Sequence, residues 1–219
     1  MTAPVLAQGM SGIVVELYTS QGCSSCPPAD AYLTELAEES GVIALALHVD
    51  YWDYIGWADK FAKPHHTDRQ KGYARAIGSN TVYTPQMIVA GTDRVEGSDP
   101  GKVEGDIRRH QMAPSQVGLT ITRVGDVMMI SAIAKVTLSG PVMVQLVRYH
   151  PSATVMIEHG ENAGHTITYT NIVTSWTNLA DWPGIDDLKL SVPVVGSDPA
   201  VVILQKPGPG LILAASVLK

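Results

Sequence analysis

The chain has 219 residues, a formal charge of −6, 45% hydrophobic residues and 16% charged ones. That composition belongs to a folded globular chain, and the length suits one large domain or two small ones. No Lys/Arg run is longer than Arg108-Arg109, and no apolar run approaches the roughly 18–20 residues of a spanning helix. Nucleic acid as a partner and a membrane-spanning segment are both disfavoured.

Ile13 to Tyr18 is β-branched and apolar, as a buried strand is. It leads into Gly22-Cys23-Ser24-Ser25-Cys26-Pro27-Pro28, which holds the only two cysteines of the chain. Pro27 and Pro28 suit the opening of a helix, where a missing N–H costs nothing. Ala29, Leu33, Leu36 and Ala37 continue at helical spacing, Tyr32 widens the stripe, and Gly41 stops it. The cysteines therefore occupy a strand-to-helix turn, where free N–H groups and the helix dipole favour an anion. A thiolate there has its pKa lowered from about 8.5 to about 7 or below. Cys23, further from the helix body, is expected to be the exposed, attacking sulfur, and Cys26 the buried, resolving one. A disulfide closing so short a loop restricts the unfolded chain little, so redox chemistry or soft-metal binding explains the pair better than stapling does.

Val42 to Val49 is a continuous apolar run, expected as a central strand covered on both faces. The stretch from Asp50 to about Thr67 follows, with Tyr51, Trp52, Tyr54 and Trp57. Its aromatic rings are expected to form an apolar floor for a ligand beside Cys23, or to pack the loop down. A helix over Asp68 to Ile77 comes next, then Thr84-Pro85 and two short strands. Asp99 to Met112 reads as a helix with Ser98 or Asp99 as its cap and Pro100 at its first position. Ala113-Pro114-Ser115 reads as a boundary.

From Val117 the texture changes. Leu119–Thr122, Val142–Val147, Thr166–Val173 and Leu188–Val192 are strand-length segments, punctuated by Gly, Pro, Asp and Asn about every ten residues. That spacing suggests an antiparallel sandwich. The scattered His150, His159 and His165 read as surface residues. Gly160-Glu161-Asn162-Ala163-Gly164 is a turn-rich loop that does not match a phosphate-binding loop.

Val15-Glu16-Leu17-Tyr18 before Gly22-Cys23 resembles the first core strand of glutaredoxins and thioredoxins. Tyr73, Ile77, Thr84-Pro85, Ile88-Val89, Gly91 and Val95-Glu96-Gly97 resemble the second half of such a domain. More narrowly, residues 14–30, 48–62, 84–89 and 160–171 resemble a bacterial family of secreted-type thioredoxin-like proteins without an assigned function. The resemblance implies an α/β thioredoxin-like domain over 1–114, then an all-β antiparallel sandwich-like domain over 115–219. It implies a cis Thr84–Pro85 bond facing the cysteines and offering its backbone to a substrate. It also gives Glu16 the place of a buried acid that shuttles the Cys26 proton, with an exposed strand face as the other reading. Gly22 and the Ser24-Ser25 dipeptide depart from thioredoxin itself, so no redox potential carries over.

The expected function is a thiol–disulfide oxidoreductase without a cofactor. Cys23, Cys26 and Glu16 would be catalytic, with Thr84, Pro85, Trp52, Tyr54 and Trp57 contacting protein or small-molecule thiols and disulfides. The alternatives are a Cu(I) or other soft-metal carrier using Cys23, Cys26 and His48, with Met87 in reach, and a non-catalytic binding module. The family resemblance also suggests a periplasmic or secreted protein. Met1 to Gln8 would then be the remnant of a signal segment, since it lacks the positive and apolar regions of an intact one.

Overall fold

The structure, a computed structural model, describes residues 7–219; most of the expected leader remnant, residues 1–6, lies outside the described residues. In chain order the elements are β1 (Ala7–Gln8), β2 (Met10–Ser11), β3 (Ile13–Thr19), α1 (Pro27–Glu38), β4 (Val42–His48), a 3₁₀ turn (Asp53–Ile55), α2 (Pro64–Ala76), β5 (Gln86–Val89), β6 (Asp93–Glu96) and α3 (Pro100–Met112). Then come β7 (Val117–Val124), β8 (Val127–Ala134), β9 (Val142–Met156), β10 (Thr166–Trp182), β11 (Leu188–Pro193), β12 (Ala200–Gln205) and β13 (Ile212–Leu218).

The expected α/β thioredoxin-like domain followed by a sandwich-like domain is not what forms. The structure is mostly β, 44% strand against 19% helix, with two sheets and three α-helices among the described residues. One sheet has nine strands in the order β2-β13-β12-β9-β10-β4-β3-β5-β6, so it draws on both sides of residue 114. The other has four, β1-β7-β8-β11, and packs on the far end of the large sheet. The core between them joins Ile121, Met128 and Ile130 of the small sheet to Val144, Val202 and Leu204 of the large one.

The join across the large sheet is narrow. β10 meets β4 in parallel at Ile172↔Ala46, and Asn171 Nδ2 donates to Ala44 O at 2.9 Å. Asn171 takes positive φ (50°), a conformation Asn tolerates better than most residues. The strands making the join are long, and sequence reading broke them up. The expected Val142–Val147 segment extends through Pro151 to form the 15-residue β9, and register shifts interrupt its ladder with the 17-residue β10.

Local signals fared well. α1 opens at Pro27, and Gly41 (φ 78°) ends the connection that follows it. α3 opens at Pro100, where Asp99 Oδ1 accepts the Lys102 N–H at 3.1 Å. α2 starts at Pro64, four residues before the expected Asp68, because proline suits the first helical turn. No helix among the described residues is long and apolar enough to cross a membrane.

Strand alternation in β3 decides what each side chain meets. Val15 and Leu17 face α1 and α3, packing on Leu33, Leu36 and Ile107. Val14 and Tyr18 face the other way, onto Tyr73 of α2. Full burial of a leucine such as Leu36 contributes about 1.5–3 kcal/mol, and a row of such residues fixes α1 across the sheet.

Candidate functional site

β3 ends at Thr19 and the chain turns at once. The Gly22 N–H donates to Ser20 Oγ (3.1 Å), the Cys23 N–H to Ser20 O (3.1 Å) and the Cys26 N–H to Cys23 O (3.2 Å). Cys26 is the N-cap of α1, and its carbonyl accepts from the N–H groups of Ala29 (2.9 Å) and Asp30 (3.0 Å). The two cysteines are joined in a disulfide. Ser24 and Ser25 are exposed, but Cys23 is only 1% exposed and Cys26 fully buried. The expectation of an exposed Cys23 is therefore corrected.

Two segments cover it. The aromatic loop after β4 lies against the turn so closely that a Cβ on Gly22 would stand 3.0 Å from Ile55 Cδ1 and 3.3 Å from Trp52 Cβ. The Trp57 indole donates to Gln21 Oε1 at 2.8 Å. The tip of the β9–β10 hairpin closes the other side, where Asn162 Nδ2 donates to both Gln21 O and Cys23 O at 2.9 Å. Asn162 is itself 3% exposed, although it sits in the loop whose sequence promised only a turn.

Thr84 and Pro85 are tied to the same place. Their peptide bond is cis, and the Trp52 indole donates to Thr84 Oγ1 at 2.8 Å. Trp52 thus touches the cysteine turn through Gly22 and the proline loop through Thr84. Tyr54 does not join them; it is 82% exposed.

Glu16 stands elsewhere. Alternation turns it to the α2 face, away from α1. There it accepts from Arg69 Nε (2.7 Å), Arg69 Nη2 (2.8 Å), Tyr73 OH (2.6 Å) and Tyr18 OH (3.0 Å). The Arg69 guanidinium also lies 3.7 Å from the Trp176 ring centre and donates to Gln205 Oε1 at 3.0 Å. All the partners of the Glu16 carboxyl are Arg69, Tyr73 and Tyr18 on the α2 face, so the expected role beside Cys26 finds no geometry here.

The acid beside the cysteines is Asp30, missed in the sequence although its signal was there. It lies four residues after Cys26 and three before Leu33, on the apolar stripe of α1. It is 3% exposed, and its Oδ2 has no hydrogen-bond partner. Burial pushes its carboxyl up to about 7; His48 and Thr19 pull it down and Asp59 pushes it further up.

His48, at the end of β4, faces the same interior. Its Nδ1 is 2.6 Å from Asp59 Oδ2, and its ring meets Phe61 and Tyr169 edge-on. Asp59 also accepts the N–H groups of Gln21 (2.9 Å) and Phe61 (2.8 Å). Burial would raise Asp59, but His48 and these donors outweigh it and hold the carboxyl below its ordinary range. Among the cluster's side-chain atoms, His48 Nε2 and Tyr169 Oη are buried without a partner, and Thr19 Oγ1 and Asp30 Oδ2 also lack one within full hydrogen-bond distance, although Thr19 lies near enough to lower the Asp30 carboxyl. Among the described residues no three or more His, Cys, Asp or Glu are arranged to hold a metal ion. Met87 is buried in the core under α1.

A family described as "Protein of unknown function (DUF1223)" matches residues 14–205. The chain belongs to that family. The DUF1223 match takes in the cysteine turn, the Thr84–Pro85 loop and the Asn162 hairpin together. The crystal structure of a protein from Agrobacterium tumefaciens is similar at 33% identity and a TM-score of 0.82, over 94% of this chain and 93% of that one. HBP35 of Porphyromonas gingivalis is similar in fold, at 12% identity and a TM-score of 0.61, over 95% of this chain and 75% of that one. No curated protein matches the chain.

Proposed function

We propose that this protein is a thiol–disulfide oxidoreductase whose working pair is Cys23 and Cys26. One observation carries the reading: both cysteines of the chain close a disulfide at the N-cap of α1, where a thiolate released by reduction meets the positive end of the helix dipole. A bond across so short a loop adds little to stability by restricting the unfolded chain, which leaves its chemistry as its use.

Reduction transfers two electrons and two protons from a substrate dithiol to the Cys23–Cys26 bond, leaving two thiols here and a disulfide in the substrate. The exchange runs through a mixed disulfide on Cys23, which the substrate's second thiol resolves in this direction and Cys26 resolves in the reverse one, when a substrate disulfide is reduced. Protein or small-molecule thiols are the substrate class. The surface meeting them is built from Trp52, Trp57 and the Thr84–Pro85 loop, once the hairpin tip carrying Asn162 lifts from Cys23. Exposed Tyr54 stands at the rim of that surface. A disulfide persists in an oxidising compartment, which supports a periplasmic or secreted location for the protein. The soft-metal alternative has less support, because both sulfurs are joined in a disulfide and, among the described residues, no three His, Cys, Asp or Glu are arranged around them to hold an ion.

The test is a redox titration against glutathione, with trapping by a Cys26→Ser variant. A measurable two-electron potential and mixed disulfides on Cys23 are expected. A pair that cannot be titrated, with nothing trapped, sinks the reading.

A further inference from the structure

The Asp30 cluster is a buried polar feature with several unpartnered atoms that the redox reading leaves unused. Buried polar groups are almost always partnered, since each orphan costs about 1–3 kcal/mol. Here four orphaned atoms, on Thr19, Asp30, His48 and Tyr169, come from four different elements. Cys26 has helical φ and ψ (−78°, −34°), so Asp30 follows it by one helical turn, on the same face and equally buried. An acid one turn from a sulfur sealed away from water is placed to exchange its proton.

We propose that Asp30 is the proton acceptor for the Cys26 thiol, held in that role by the His48–Asp59 pair. The inference rests on the redox reading of the cysteines. In the resolving step the Cys26 thiol gives its proton to the Asp30 carboxylate. The Cys26 thiolate then attacks Cys23 Sγ, the Cys23–Cys26 bond forms, and the bond from Cys23 to the substrate sulfur breaks. The substrate leaves as a thiolate and takes a proton from solvent. In the reverse direction Asp30 returns the proton to the Cys26 thiolate as the disulfide opens. Neighbouring groups set the balance: His48 from β4 and Thr19 from β3 lower the Asp30 carboxyl, Asp59 from the loop after the 3₁₀ turn raises it, and Tyr169 from β10 is in turn raised by Asp30. Asp59, itself anchored by the Gln21 and Phe61 N–H groups, fixes the His48 ring through Nδ1 and leaves Nε2 free in the interior.

Reduced protein mixed with equimolar dithiobis-nitrobenzoate separates the steps. The first coloured thiolate is released as Cys23 forms a mixed disulfide, and the second as Cys26 resolves it. In the unmodified protein the second phase is expected to rise through an inflection near pH 7, following Asp30. Asp30→Asn slows the second phase by about 10²-fold relative to the first and moves the inflection up toward an ordinary thiol. His48→Gln, which removes the group that lowers Asp30, shifts the inflection upward with a smaller loss of rate. An unchanged phase ratio and inflection in Asp30→Asn overturns the proposal. Release of a single thiolate by the unmodified protein instead shows that Cys26 does not resolve, and takes the redox reading down with it. Should Asp30→Asn not fold, the carbon-13 carboxyl resonance of Asp30 decides in the unmodified protein. Its titration must move when the disulfide is reduced, and a fixed titration overturns the role.

Discussion

Glu16 and Asp30 are both carboxylates sealed inside the protein, on opposite faces of the same sheet. Glu16 is fully answered, with four hydrogen bonds from Arg69, Tyr73 and Tyr18. Asp30 has an oxygen with no partner and neighbours whose polar atoms are equally idle. The first arrangement is what a buried charge needs in order to stay put. The second is poorly stabilised, and its one advantage is an acid able to gain or lose a proton near neutral pH. Burial alone does not mark a working acid; burial together with unsatisfied bonding and a cysteine one turn away does.

The contrast is broken most sharply at Glu16. Glu16→Ala strands the Arg69 guanidinium among Tyr73, Trp176 and Gln205, and a loss of about 5 kcal/mol is expected in urea unfolding. The potential of the disulfide should hardly move, and a large shift there would mean that the two faces are coupled.

A second effect comes from Asp30. Its carboxyl is raised in the folded state to about 7, so the folded protein binds a proton more tightly than the unfolded chain. Stability from this group is fully present below the ordinary aspartate range and is lost as the pH rises through about 7. The loss amounts to about 4 kcal/mol, from roughly three pK units. Asp30→Asn should remove that slope, so its unfolding free energy gains on the unmodified protein from pH 4 to pH 8. Parallel pH curves for the two proteins would refute the raised carboxyl.

The cover over the disulfide comes next. Asn162→Ala deletes both bonds to Gln21 O and Cys23 O, each worth about 1 kcal/mol. Reduction by dithiothreitol should quicken about thirtyfold, since about 2 kcal/mol of lost closure at 1.4 kcal/mol per decade is roughly a decade and a half. An unchanged rate would mean that the hairpin does not gate the bond. The smallest effect belongs to Tyr54→Ser, which removes an exposed ring and should alter stability by less than about 0.5 kcal/mol. A change in KM for a thiol substrate would then report contact rather than packing.

How much of this was legible depended on the range of the interaction. The cysteine turn, the opening of α1, the cap of α3 and β4 are written in adjacent residues, and chain order shows them. Glu16 stood between a buried acid and an exposed strand face, and the partner that decides it, Arg69, lies 53 residues away, which a strand pattern does not name. Asn162 reaches Cys23 across 139 residues, and nothing in a glycine-rich turn announces that contact. Asp30 was legible in principle, as a lone acid in an apolar helical stripe four residues from a cysteine. The sheet itself was hidden, because each half reads as complete and the join is short.

That short join has a consequence for any attempt to shorten the protein. Removing the residues after 114 takes β10 away from β4 and leaves the apolar Val42–Leu47 run with an unpaired row of amide and carbonyl groups. Such an open edge is a template for pairing with other chains, so the fragment is expected to self-associate rather than stay dispersed. It would also lose the Asn162 hairpin, exposing the disulfide on a particle prone to clumping. The hairpin strands β9 and β10 thus guard the protein twice, once as the missing neighbour of a sheet and once as the cover of a sulfur–sulfur bond.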